Sequence, residues 1–264
     1  MIINFLIIIQ ENMKKILKEN WKFLLIVLVG GLIGGFFSGY YMYDSLSSEM
    51  LKQLQEQNVT KEMLAIVSMI QYGILYGLIL ACIGIVLSKK IKLWKEFKID
   101  KKAIIVTSVI TIVGALLLFP GDKLMFGSLS TWVSGQYTIQ PTIQKLIAGL
   151  LAGGIIEEVM MRLFLMSLLV FIISKIFYKN KKEIPVKIYV IANIIVACVF
   201  AIGHIPATMQ LTTLTPMILI RCFLFNGVLG LGYGYLYRKH GIGYAMISHG
   251  LCHLISDILM ILFI

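Results

Sequence analysis

Charge is what this chain has least of. Only 14% of its 264 residues are charged, against about 25% in a soluble domain, and 59% are hydrophobic. A freely soluble globular domain is therefore excluded. Strand-period alternation in ten-residue segments is missing, which excludes a membrane barrel. The four cysteines, Cys82, Cys198, Cys222 and Cys252, all fall inside apolar runs without a CxxC spacing. They read as small buried hydrophobes, and a disulfide framework or zinc knot is excluded. No HExxH or GxGD motif is present, which removes two classes of intramembrane protease. The rhomboid-type GxS is absent too: the nearest loop reads Gly127-Ser128-Leu-Ser130, outside an obvious catalytic span.

What the chain does have is apolar runs near bilayer length, about 20 residues each. Seven can be drawn: Phe23–Tyr43, Leu64–Leu87, Ala103–Phe119, Leu146–Phe177, Ile188–His204, Pro216–Tyr237 and Ile242–Ile264. The fold class expected is all-α, a polytopic transmembrane bundle of about seven spans. Residues 1–22 form an amino-terminal interfacial and basic segment. Residues 23–145 hold three spans and their loops, and 146–264 the functional core. Span four is too long for one straight crossing at about 1.5 Å per residue, so it must tilt, protrude or break. The first ten residues read as an interfacial segment, or as lying upstream of a start at Met13. They are not a signal peptide, which has the opposite order of basic and apolar regions.

The net charge of +11 invites a nucleic-acid partner, but the lysines lie in short loops. Lys14, Lys15, Lys18 and Lys22 precede span one, and seven lysines from Lys89 to Lys102 follow span two. Lys179, Lys181, Lys182 and Lys187 follow span four, and Arg238 and Lys239 follow span six. Every second loop is basic, which predicts an amino terminus inside and a carboxyl terminus outside. Membrane lipids and a peptide or protein substrate are the expected partners, with no nucleic acid. The loop Asp44–Met63 is expected to carry a short helix. The loop Gly121–Gln144 offers Trp132 and Tyr137 as interfacial anchors. Gly30 with Gly34, Gly31 with Gly35, Gly149 with Gly153 and Gly230 with Gly234 fit the small-xxx-small pattern of close helix contact. They read as packing signals without chemistry. No internal repeat is apparent, which counts against a transporter of the inverted-repeat kind.

Against this background Glu157, Glu158 and Arg162 stand out inside span four. Ionised groups at bilayer depth cost roughly 2.5–3.5 kcal/mol each, so three within six residues point to function or to a structural ion-pair cluster. Glu158 and Arg162 are i and i+4 and share a helix face. Glu157 is five residues from Arg162, about 140° away at 100° per residue. The arginine should neutralise Glu158 and leave Glu157 free as a general base in a partly dry cavity. His204 ends span five, where a lone histidine is more often a structural hydrogen bonder than a ligand. In span seven His249, His253 and Asp257 step by four and share one face, which must look into the bundle or a wet cavity. Only His240, of four histidines, lies in a loop.

Glu157-Glu158-x-x-x-Arg162, Phe200-x-x-x-His204 and His249-x-x-x, in that order, resemble the CPBP intramembrane proteases, also called the CAAX protease and bacteriocin-processing or Abi family. The run Gly230-x-Gly-Tyr-Gly-Tyr-Leu-Tyr-Arg-Lys-His-Gly241 resembles the lead-in to the last motif in bacterial members. The resemblance covers about Leu146 to Asp257; spans one to three share only hydrophobicity. It implies an intramembrane endopeptidase that cuts a membrane-associated or lipidated substrate. It gives Glu157 the role of activating water, Glu158 and Arg162 that of its supports, and His204 and His249 that of holding the water or the tetrahedral intermediate. Four residues after the last histidine the family commonly has Asn or Asp. Here it is His253, whose imidazole can donate in its place, unless His253 and Asp257 fill the motif one turn later. A divalent metal such as zinc on Glu157, His204 and His249 and a metal-free glutamate mechanism both remain open. So do a non-catalytic self-immunity or scaffold protein of the same fold and, more remotely, a transporter. The cell membrane of a bacterium is the expected location.

Overall fold

The structure, a computed structural model, describes residues 2–178 and 183–264, with side chains from residue 14 onward. Lys179, Lys181 and Lys182 of the expected basic loop lie outside the described residues. Among those described, every regular element is helical. Seven of the described helices are long and apolar enough to cross a membrane: Lys14–Asp44, Lys61–Lys90, Lys101–Phe126, Ile143–Phe177, Val186–Leu211, Pro216–His240 and Ile242–Phe263. They are called spans one to seven. All seven sequence-drawn runs fall on them. The protein is therefore an integral, multi-pass, all-helical membrane protein.

The sequence starts four of these helices with side-chain caps. Thr60, Asp100, Thr142 and Thr215 accept from the backbone N–H of Met63, Ala103, Lys145 and Ile218, three residues on. Each such cap is worth about 1 kcal/mol. Span one is continuous with the residues before it, as a helix from Ile2 to Asp44 with non-helical backbone at Asn20. The expected short helix between spans one and two is Ser48–Glu56. Spans six and seven form a hairpin that turns on Gly241, at φ 99°, a backbone region glycine enters without steric cost.

Span four sits at the centre. It packs against spans one and seven along its first half, and against two, five and six along its second. Its length is accommodated by wide winding: Ala148–Glu157 and Val159–Met166 close their turns at i+5, a form that concentrates at functional positions. Gly31 and Gly34 let span one approach: an added Cβ at Gly34 would stand 2.6 Å from the backbone N of Ala152, and one at Gly31 2.7 Å from Tyr72 O. Apolar side chains such as Val109, Ile194 and Ile220 are exposed on the outside of the bundle, the surface that faces acyl chains. Three cysteines are buried, as expected, and Cys198 is exposed on span five.

Three expectations need correction. Span three does not stop at Phe119: helix resumes after Pro120 and runs through Asp122–Phe126, because Asp122 has a buried partner to satisfy its charge. Tyr137 is not an interfacial anchor. It is 8% exposed, and its hydroxyl donates to Asp122. Trp132 is half-buried and lies 5.3 Å beneath the Arg221 guanidinium. The third correction concerns His204. Helix continues beyond it as Ile205–Leu211, so His204 marks a break within span five. Pro206 causes the break, since it has no N–H to donate to the carbonyl of Ile202.

Candidate active site

Five of the six sequence-selected residues make direct contact. Glu158 and Arg162, both fully buried, form an ion pair at 3.0 Å between Oε1 and Nη1. The other terminal nitrogen, Nη2, donates to the Gly230 carbonyl of span six at 3.0 Å. The guanidinium also stands over the Phe200 and Tyr233 rings, at 4.9 and 5.6 Å. A charge this deep is tolerated only when it is paired and hydrogen-bonded. Gly230 makes room for it: a Cβ there would stand 2.9 Å from Nη2.

The Glu158 Oε1 that faces Arg162 also meets His249 Nδ1 of span seven at 2.8 Å. A carboxylate only accepts, so Nδ1 carries the hydrogen and donates. That hydrogen bond orients the ring, and Tyr233 holds it flat, stacked at 4.4 Å and 15°. The second nitrogen, Nε2, points to the opposite side. It lies 3.2 Å from His253 Nε2 and 3.8 Å from Glu157 Oε2. One imidazole thus separates the two neighbouring carboxylates. Glu158 has no exposed surface, whereas the Glu157 side chain keeps 30% of its own.

His253 rests on two glycines of span four. A Cβ on Gly149 would stand 3.0 Å from His253 Cβ, and one on Gly153 3.3 Å from the imidazole Cδ2. These glycines and Gly230 are therefore not packing signals alone; they leave space for the ionisable groups. His204 is joined to the cluster through Phe200 rather than directly. Its Nδ1 hydrogen-bonds the Phe200 carbonyl at 2.8 Å. The Phe200 ring stands edge-on to both imidazoles, 4.7 Å from His204 and 6.1 Å from His249.

Asp257 continues the His249–His253 face one turn on but belongs to a different contact. Its Oδ1 takes a 2.8 Å ion pair from Lys145 at the start of span four. That pair ties the carboxyl-terminal half of span seven to span four. The slipped register, with His253 and Asp257 filling the motif, has no geometric counterpart, because His249 is the histidine against both glutamates. Glu157, His204 and His249 do not stand as a metal-holding group. Among the described residues no three His, Cys, Asp or Glu side chains do.

Sequence reasoning passed over Tyr233 and Gly230 as site components. Their only signal was the lead-in run of span six, in which both occur. It also missed a second buried ion pair, Asp122 with Arg221, whose Nε reaches Asp122 Oδ1 at 2.8 Å. The available signal was a charge inside each of spans three and six, hidden by ending span three at Phe119.

Neither curated proteins nor solved structures give a match to this chain. A family profile described as type II CAAX prenyl endopeptidase Rce1-like matches residues 139–255. That stretch contains Glu157, Glu158, Arg162, His204, His249 and His253, and over it the chain is similar to this Rce1-like endopeptidase family.

Proposed function

We propose that the protein is an intramembrane endopeptidase that cleaves a peptide bond of a membrane-associated or lipidated substrate. The observation that carries this reading is the asymmetry of the two glutamates about His249. Glu158 is locked by Arg162 and His249 with no solvent access, while Glu157 stays partly exposed beside His249 Nε2. A water within hydrogen-bond reach of Glu157 Oε2 and His249 Nε2, about 2.8 Å from each, fits their 3.8 Å separation.

In this reading Glu157 takes a proton from that water as its oxygen bonds to the scissile carbonyl carbon. The carbonyl π electrons move to oxygen. The imidazole N–H of His253 donates to the resulting oxyanion, which such a donor stabilises because it is already in place, while His204, whose Nδ1–H is held by the Phe200 carbonyl, sets the Phe200 ring against His249. Protonated Glu157 then returns its proton to the amine nitrogen as the C–N bond breaks. Glu158 and Arg162 act through His249, which they hold in one tautomer and orientation. No step is assigned to a metal. The alternation of basic loops supports an amino terminus on the inner side of the membrane.

The test uses full-length protein in proteoliposomes with a membrane-anchored peptide reporter. Glu157→Ala should abolish cleavage while the thermal unfolding midpoint stays within a few degrees of the parent. Retained cleavage by the folded variant would sink the assignment.

A further inference from the structure

Away from the glutamates, a cavity of about 640 Å³ opens where the ends of spans two and four meet the start of span five. Three lysines line it: Lys90 and Lys92 from the end of span two and Lys175 from the last turn of span four. One carboxylate, Glu183, shares the rim. None of the three lysines forms an ion pair among the described residues, although Lys15, Lys61, Lys89 and Lys145 all do. The excess of positive charge in the cavity is therefore uncompensated.

Two details show that the cavity is built rather than incidental. Lys90 and Lys175 converge from different spans on one ring, with their Nζ atoms 5.6 and 5.7 Å from the Phe171 centroid. Lys92 holds a left-handed backbone, φ 60°, just past the end of its helix, where glycine or asparagine is the ordinary residue. A long cationic side chain is kept at a position that disfavours it. Tyr189 fixes the turn beneath by donating to the Ile91 carbonyl at 2.8 Å.

The surface beside the cavity argues for the occupant. Next to Phe171 the end of span four presents Ile172, Ile176 and Phe177, the last 73% exposed. An apolar surface continuous with a basic cavity at a span end matches a molecule with a phosphate head and acyl tails. We propose that this cavity binds the phosphodiester headgroup of an anionic phospholipid, with its chains along Ile172 and Ile176. Lys90, Lys92 and Lys175 supply the ammonium donors. Because the lysines stand on spans two and four, a seated headgroup clamps the central catalytic span to its neighbour.

The experiment is native mass spectrometry of the full chain released from detergent, titrated with phosphatidylglycerol and, separately, with phosphatidylcholine. Phosphatidylglycerol should bind more tightly. The set Lys90→Gln, Lys92→Gly, Lys175→Gln should weaken it about 100-fold, from about fivefold for each lysine. Lys92→Gly keeps the left-handed turn while removing the charge. A charge-matched control, Lys52→Gln, Lys98→Gln, Lys123→Gln, should bind as the parent does. Equal loss in the control, or undiminished binding in the cavity set, overturns the site. Inorganic phosphate separates the sources: if it saturates the parent at low millimolar concentration and displaces phosphatidylglycerol completely, the site takes free phosphate and the lipid assignment falls. The result does not depend on peptidase activity, so it stands or fails apart from the proposed reaction.

Discussion

His249 presents its two ring nitrogens to two consecutive glutamates: Nδ1 lies 2.8 Å from Glu158 Oε1 and Nε2 lies 3.8 Å from Glu157 Oε2. The same ring is therefore anchored on one side and available on the other. A functional consequence follows for Glu158→Gln. The amide keeps the shape but removes the negative charge that faces Arg162 and fixes His249. Cleavage should fall by about 10²-fold or more, the lower range for removing a positioned acid–base system, with substrate KM little changed. A kcat within threefold of the parent would contradict the anchoring role.

Breaking the Glu158–Arg162 pair should be costly because both groups are fully buried. Arg162→Leu leaves a buried carboxylate without its cation, and losses of about 3–5 kcal/mol are typical of such orphaned charges. Combining Arg162→Leu with Glu158→Leu removes both charges and should restore much of the stability but none of the cleavage. The unfolding midpoint in detergent and the reporter assay together check this. A double variant no more stable than Arg162→Leu alone would contradict the pairing argument.

His253 stands where the resemblance expects Asn or Asp. If its contribution is a hydrogen-bond donor, His253→Asn should retain cleavage within about tenfold, since an amide also donates. His253→Leu should lose about 10²–10³-fold, the cost of one oxyanion donor. Equal losses in both would instead make the imidazole itself essential.

Gly230→Ala is a distal-looking change with a local cause. Its Cβ would lie 2.9 Å from Arg162 Nη2, so the guanidinium must move off the Gly230 carbonyl and drag Glu158 and His249 with it. We expect a lowered unfolding midpoint and a drop in kcat, while Gly135→Ala, whose Cβ would meet nothing within 4 Å, should behave as the parent. Normal cleavage by Gly230→Ala would show that the arginine has slack.

Tyr137 supplies a pH prediction outside the spans. Burial, and then its hydrogen bond to Asp122, raise the phenol above its ordinary value. A group raised on folding stabilises the fold fully below its unfolded pKa, about 10 for tyrosine, and loses that contribution as pH climbs toward the folded value. Stability should therefore fall above about pH 10. Tyr137→Phe should begin less stable at neutral pH but lose less between pH 9 and 11, read by thermal melts. Parallel curves would remove Tyr137 as the cause.

Much of this architecture is written in composition and spacing. A bilayer accepts only helices whose backbone is satisfied internally, so long apolar runs such as Ile242–Phe263 identify themselves. The i, i+4 spacing of Glu158 and Arg162 likewise announced their pair, and His249 and His253 announced a shared face. Local rules reach no further than that. The 140° separation of Glu157 from Arg162 assumed an ordinary helix, whereas this stretch winds at i+5. What frees Glu157 is the position of His249, a residue 91 positions after Glu158. The break at His204, the seat of Arg162 on Gly230 and the partner that holds Asp122 in the helix likewise depend on which spans become neighbours. Such contacts join residues distant along the chain, and their selection rests on packing and charge satisfaction in the assembled bundle. The sequence by itself determined a seven-span membrane helix bundle with scarce ionisable groups in its second half. Only tertiary structure decided which carboxylate is buried in an ion pair and which stays partly exposed beside His249.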